Sequence, residues 1–271
     1  MIGRLTWFNT TSLTIGFVFL YLPILLLVFF SFNESRLVTV WAGFSTKWYV
    51  ELFKDKAFLD AALVTFRVAL LSATVATILG TLAAVVMVRV GRFKGRTLFS
   101  GMIYAPLVMP EVITGLSLLL LFVAMGVGRG FWTITLAHIT FSMCYVAVVV
   151  SSRLVTFDTS LEEAATDLGC PPFQAFLKVT LPIMAPAIVS AWLLSFTLSL
   201  DDLVIASFTS GPGATTLPMK IYSQVRLGVT PKINALSTIL IGVVTIGVLT
   251  ASYITRRSEA RRKADELLAE S

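Results

Sequence analysis

Six apolar stretches, each about as long as a helix needs to cross a bilayer, dominate this chain: about Thr11 to Phe32, Ala61 to Val88, Leu98 to Met125, Phe131 to Ser152, Ile183 to Phe208 and Asn234 to Thr255. A helix rises about 1.5 Å per residue, so roughly 20 apolar residues cross a hydrocarbon core. No strand pattern competes with these runs. With 56% hydrophobic and 13% charged residues over 271 positions, the composition excludes an ordinary soluble domain. The expected fold is an all-α polytopic membrane protein with six transmembrane helices. The first stretch is too long for a signal peptide, and Ser31-Phe32-Asn33-Glu34 offers no small-residue cleavage site, so it is expected to stay as an uncleaved anchor.

A polar loop, residues 160–182, interrupts the apolar pattern between the fourth and fifth stretches. Ser160 followed by Glu163 reads as a capping box that starts a short helix, Ala164 and Ala165 keep one face thin, and Gly169 with Pro171 and Pro172 stops it. Small residues and a sharp end suit a helix that lies along the membrane surface and inserts into a soluble partner. The order Glu163-Ala164-Ala165, three residues, Gly169, nine residues, Val179-Thr180-Leu181-Pro182 resembles the EAA loop of binding-protein-dependent ABC importer permeases. That resemblance implies a type I importer permease fold, with Glu163, Ala164, Ala165 and Gly169 coupling the chain to a cytoplasmic ATPase. An ordinary amphipathic connector is the plainer reading of the same loop.

Basic residues set the orientation. Arg4, the Arg89/Arg92/Lys94/Arg96 loop, the EAA-like loop and the Arg256, Arg257, Arg261, Arg262, Lys263 tail alternate with less basic loops and belong in the cytoplasm, which places both termini there. Lys47, Lys54, Lys56, Lys220 and Arg226 on the other side make this bias moderate, and the EAA-like loop, which must meet cytoplasmic ATP hydrolysis, decides it. The basic tail suits anionic lipid better than nucleic acid. The expected layout is an N-terminal helix and outer segment (1–60), a transmembrane core (61–255) and a basic tail (256–271). Cys144 and Cys170 lie at different depths without His or Cys neighbours, so neither a disulfide nor a metal site is expected. Ser210-Gly211-Pro212-Gly213 is a turn ahead of a short helix over Leu217 to Leu227, and it lacks the Gly-Lys-Ser/Thr of a phosphate loop. The chain is therefore expected to have no nucleotide site, no cofactor and no catalytic residue of its own.

The residues most costly to place are acidic. Asp201 and Asp202 fall inside the fifth stretch and Glu111 inside the third, where a carboxylate near the bilayer centre costs about 2.5–3.5 kcal/mol or more. Counting about 1.5 Å per residue from the cytoplasmic end puts Glu111 about 20 Å deep and Asp201 about 27 Å deep. Ser195, Ser199 and Asp202 share one helical face, whereas Thr197 and Asp201 share the next, so both aspartates can follow one path only if the helix opens there. The first stripe is expected to track a substrate path and Asp201 to hold the local helix geometry. The other reading is a buried pair satisfied by backbone amides or a basic neighbour. Pro106 and Pro110 break the third stretch, so Glu111 either meets substrate or satisfies freed backbone groups. His138 reaches a similar depth to the aspartates and is read as a packing residue beside the path. Trp41, Trp48 and Tyr49 beside a short helix from about Thr46 to Lys54 suit an interfacial platform or a docking surface.

Ser31-Phe32-Asn33, Lys47-Trp48-Tyr49, Ala105 through Glu111, Leu198 through Val204, and Ser210-Gly211-Pro212-Gly213 through Pro218 resemble the second permease subunits of bacterial spermidine/putrescine importers, and the wording Gly211 to Thr216 leans to the putrescine-type branch. The resemblance covers nearly the whole chain. It implies polyamine passage across the inner membrane, with Glu111, Ser199, Asp201, Asp202 and Trp48 along the path. It also implies a homologous permease partner, two copies of an ABC ATPase and a periplasmic polyamine-binding protein. Flexible polycations need scattered carboxylates and aromatic faces rather than one tight cage, which agrees with those residues. Another small solute is the nearest alternative. A secondary transporter would need no ATPase-docking loop, and a membrane aspartyl protease would carry its two aspartates on different spans.

Overall fold

The computed structural model describes residues 6–246 apart from 39, 229 and 244, and these are helical throughout save for turns and one isolated bridge between Asn33 and Phe44. The end of the sixth apolar stretch, beyond residue 246, and the whole basic tail lie outside the described residues. Among those described, four helices are long and apolar enough to cross a membrane: α1 (Trp7–Phe30), α3 (Lys56–Arg89), α6 (Phe131–Val155) and the continuous rod Pro172–Asp201. The expected third span differs. It is two helices, α4 (Arg96–Val108) and α5 (Glu111–Ala124), bent by 117° about Met109-Pro110. Proline cannot donate the next helical hydrogen bond and pushes the residue before it into extended backbone, and Met109 sits at φ −76°, ψ 137°. With that bent pair taken as one, the described spans number five.

The rod Pro172–Asp201 comprises α8 (Pro172–Ala175), a π-helical turn (Phe176–Thr180) and α9 (Leu181–Asp201). The fifth span was expected to continue to Phe208, but it breaks at Asp202-Leu203, and a separate short helix, α10 (Val204–Thr209), follows. The short helices expected outside the spans form as α2 (Lys47–Lys54) and α11 (Leu217–Leu227), and Pro231–Val243 forms α12. The chain divides into two compact units, one joining the chain up to Lys56 with the chain from Ser223 onward, the other Ala57–Tyr222.

In the first unit, the segment after α1 is organised by one asparagine. Asn33 Oδ1 accepts from the amides of Ser35 (3.1 Å) and Ala42 (3.0 Å), and its Nδ2 donates to the carbonyls of Leu37 (3.1 Å) and Val40 (2.8 Å). The Trp48 indole N–H donates to the Asn33 carbonyl at 2.7 Å, and the Ser31 and Tyr49 hydroxyls meet at 2.7 Å. Ser31-Phe32-Asn33 and Lys47-Trp48-Tyr49 are thus two halves of one knot. Trp48 is buried in it, with the Lys47 ammonium 5.0 Å from its ring. The indole expected along a path thus sits inside this knot, with its N–H and its ring both engaged. Asp55 and Lys232 pair at 3.0 Å within the same unit.

In the second unit, α3 and α6 approach through small residues. Ala61, Thr65, Ala69, Ser72, Ala73, Ala76, Gly80, Ala83 and Ala84 recur every three or four positions along the buried face of α3. Without water between lipid-embedded helices, such close approach supplies the packing attraction. Gly80 leaves no room for a side chain: a Cβ there would stand 2.7 Å from Val146 and 2.8 Å from the Met143 carbonyl. Val146, Val150 and Leu154 of α6 then pack with Ala84 of α3 and Met184 and Ala191 of α9. Gly80→Val should destabilise this packing by about 1–3 kcal/mol. Thermal unfolding in detergent should show a lowered midpoint, while Gly101→Val on α4, which meets nothing within 4 Å, should not.

Candidate functional site

The break after α9 is built around a buried carboxylate. Asp202 accepts from the amides of Ile205 (3.3 Å) and Ala206 (2.7 Å), the first turn of α10, as an N-cap side chain does. Its Oδ2 also lies 3.1 Å from Nε2 of His138 on α6, whose Nδ1 is 2.6 Å from the Ser199 hydroxyl. Ser72 of α3 donates to that hydroxyl at 3.1 Å. One assignment satisfies every group. Ser72 donates to Ser199, Ser199 to Nδ1 of His138, and the Nε2–H of His138 to Asp202. His138 is 2% exposed, Ser199 4% and the Asp202 side chain 9%, so three helices are joined through a closed polar chain.

Serine, histidine and aspartate in this order also form the array of a hydrolase triad. Here Ser199 is enclosed, with Ser72 against its oxygen and Asp202 committed to α10, so no substrate carbonyl reaches it. The array holds structure together. The two aspartates stand differently along the expected stripe: Ser195 and Ser199 are buried, and Asp202, its side chain 9% exposed, is bonded to the first turn of the next helix. Asp201 is the exposed one. It stands at the last residue of α9, on the face it shares with exposed Thr197 and Ser190. Polar side chains and the unpaired carbonyls of a helix C-terminus make that end attractive to a cation.

Glu111 stands at the other break, at the start of a helix where Asp201 stands at the end of one. It is exposed at the first position of α5, directly after Pro110. The helix α5 is held by α10: Gly115 passes so close to Phe208 that a Cβ would stand 2.7 Å from its ring. Both breaks therefore belong to one packed region of the second unit, since α10 packs on α5 and α6.

At the loop after α6, α7 (Ser160–Asp167) forms where a surface helix is expected. The capping box does not. Asp158 Oδ1 accepts from the Ser160 amide at 3.0 Å, and the Ser160 hydroxyl and amide hold the Asp158 carboxyl below the usual carboxylate range. Glu163 and Ala164 are exposed and Ala165 is half-buried. Gly169 takes φ +85°, and the helix ends in a Schellman motif, Cys170 N–H to Ala165 carbonyl (3.0 Å) and Gly169 N–H to Thr166 carbonyl (2.9 Å). Leu168 (90% exposed) and Phe173 (71%) flank this end as bare apolar groups. Sequence reasoning missed Glu162, which pairs with Arg89 at 3.0 Å; Arg89 was read only as one of several basic residues that orient the chain.

Bent and broken apolar helices with exposed acids at the breaks, joined to a polar surface helix with bare apolar flanks, belong here to a permease, the inner membrane component of a binding-protein-dependent transport system. The same fold occurs in the crystal structure of a bacterial ABC transporter involved in the import of the acidic polysaccharide alginate, with a TM-score of 0.70 over 90% of this chain and 94% of that one at 18% identity. It also occurs in the inward-facing MetNI methionine ABC transporter, at 0.59 over 78% and 97% with 18% identity. The chain belongs to the family described as binding-protein-dependent transport system inner membrane component, which matches residues 76–264. It is a multi-pass inner-membrane protein and not itself the ATPase. It is 59% identical over 259 residues to the putrescine transport system permease protein PotI of Escherichia coli K12, covering 93% of this chain and 92% of that one. It is 43% identical over 256 residues to the spermidine/putrescine transport system permease protein PotC of the same strain, covering 94% and 96%.

Two outcomes test these assignments. Asp202→Ala, which strands two amides and an imidazole, should cost about 1–3 kcal/mol and lower the yield of monodisperse protein, whereas Asp201→Asn should leave that yield unchanged. Gly169→Val should cost about 1–2 kcal/mol through its left-handed backbone and reduce the amount of ATPase that copurifies with the chain.

Proposed function

We propose that this chain is the permease subunit of a polyamine importer, taking putrescine, spermidine or both, and that Glu111 and Asp201 are the carboxylates its cargo meets. The observation that carries the reading is the placement of these two acids, each exposed at a point where an apolar helix breaks. A broken helix turns its backbone carbonyls toward a cavity, and an acid beside them suits a flexible cation. The fold by itself does not dictate a cationic cargo, since one relative in fold takes an acidic polysaccharide. The side chains at the breaks, not the fold, select the sign. The names of PotI and PotC support putrescine and spermidine as the cargo class.

In this reading six spans cross the inner membrane with both termini in the cytoplasm. A second, homologous permease completes the path, two ATPase copies bind α7 through Glu163, Ala164, Ala165 and Gly169, and a periplasmic binding protein delivers the cargo. Closure of the ATPase pair moves the two α7 helices and turns the breaks outward; hydrolysis returns them. Asp202 and Ser199 act one layer behind the path by holding the α9 break open, through the contacts that pair them with His138.

Proteoliposomes holding the complete complex and its binding protein provide the test. Asp201→Asn and Glu111→Gln should each lower uptake by about tenfold per assembled complex, and more for spermidine than for putrescine, because the longer cation carries more charge. Near-normal uptake of both polyamines by both variants would overturn the assignment of the path, and uptake that persists without the ATPase would overturn the importer.

A further inference from the structure

The helix α7 has a mechanical problem that its sequence does not reveal. It is two turns long, none of its residues is buried, and it packs on α8 and the π-helical turn. A lever of that kind transmits force only if something fixes its angle to the long helices. One side chain does so. The Glu162 carboxylate receives both arms of the Arg89 guanidinium, Nη1 to Oε2 at 3.0 Å and Nη2 to Oε1 at 3.3 Å, and it also accepts a hydrogen bond from the Thr180 hydroxyl. Arg89 is the last residue of α3, and Thr180 is the last residue of the π-helical turn that feeds α9. The guanidinium also lies over the ring of Phe157, 5.2 Å from its centroid, and Phe157 is buried with Leu154 of α6 and Met184 of α9.

We propose that Glu162, rather than the neighbouring Glu163, is the positioning residue that ties α7 to the transmembrane helices, so that movement of α7 becomes movement of α3 and α9. A planar two-armed pair fixes direction as well as distance, which a single ammonium contact does not. Exposed ion pairs contribute little to stability, and this one is only three-quarters buried, so its value lies in geometry. Arg89 and Glu162 line a cleft of about 620 Å³ together with Leu82, Val85, Leu154 and Phe176. Thr180 adds the third attachment at the one place in the rod where the helix is wound to a π turn. Such turns interrupt regular packing and recur at functional sites. Glu163, one position on, is exposed and free to face a partner.

This inference rests on the importer reading, and the measurement is chosen to separate the two. In the complete complex, spin labels are placed at Asp167→Cys on α7 and Arg92→Cys just past α3, with Cys170→Ala to remove the accessible thiol. The interlabel distance should be single and narrow both without nucleotide and with ATP. Glu162→Ala should broaden it in both states, Glu163→Ala should not, and Thr180→Val, which removes only the hydroxyl, should broaden it in part. Uptake per ATP hydrolysed should fall about fivefold or more in Glu162→Ala while basal hydrolysis stays near that of the unaltered complex. A narrow distribution in Glu162→Ala and in Thr180→Val would overturn the tether, as would an unchanged ratio of uptake to hydrolysis. An unaltered complex that takes up no polyamine would refute the cargo alone, since the distance measurement needs only ATP.

Discussion

A helix that stops within an apolar span exposes amides and carbonyls that lipid cannot satisfy, and the α9 to α10 break depends on how that debt is met. Asp202 supplies acceptors for the first amides of α10, and His138 supplies the donor that keeps the carboxylate partnered. Ser199 and Ser72 carry the chain of hydrogen bonds on to α3. Three helices are thereby registered around one carboxylate. The consequence lies one residue back, where Asp201 is left at a free helix end with its side chain exposed.

Close packing does the rest of the work in the second unit. Gly80 lets α3 touch α6, Gly115 lets α5 touch α10, and the clash that a side chain at Gly211 would make with the Arg129 backbone shows that the turn after α10 is equally tight. These approaches fix the two breaks in one body. The bend of 117° between α4 and α5 is thus a held geometry and not a loose proline kink, because α5 is gripped by α10 while α4 packs on α6.

At the cytoplasmic end the chemistry changes from buried hydrogen bonding to charge. None of the residues of the surface helix α7 is buried, so an ion pair and a hydroxyl replace the packing that orders the spans. Acids consequently serve three purposes along the chain. Asp202 holds a break, Glu162 holds a lever, and Glu111 and Asp201 stand open at the ends of helices.

Much of this was legible before any coordinates. Hydrophobic run length is a local property, and it placed α1, α3 and α6 to within a few residues; turn chemistry placed α11 and the left-handed Gly169. Periodicity also showed that Asp201 and Asp202 lie on different faces. Which face was buried could not be read, because α9 carries apolar and small residues all round and its environment is set by α3 and α6, which are distant in sequence. The same holds for Glu162: nothing near it distinguishes it from Glu163, and only the fold brings Arg89, 73 positions earlier, to its side. The sequence by itself determined that the chain crosses a membrane, where its helices lie, and which acids need explaining, since these follow from composition and spacing. The tertiary structure alone decided which acids are structural and which are open, because a carboxylate's role depends on the donors that packing delivers to it.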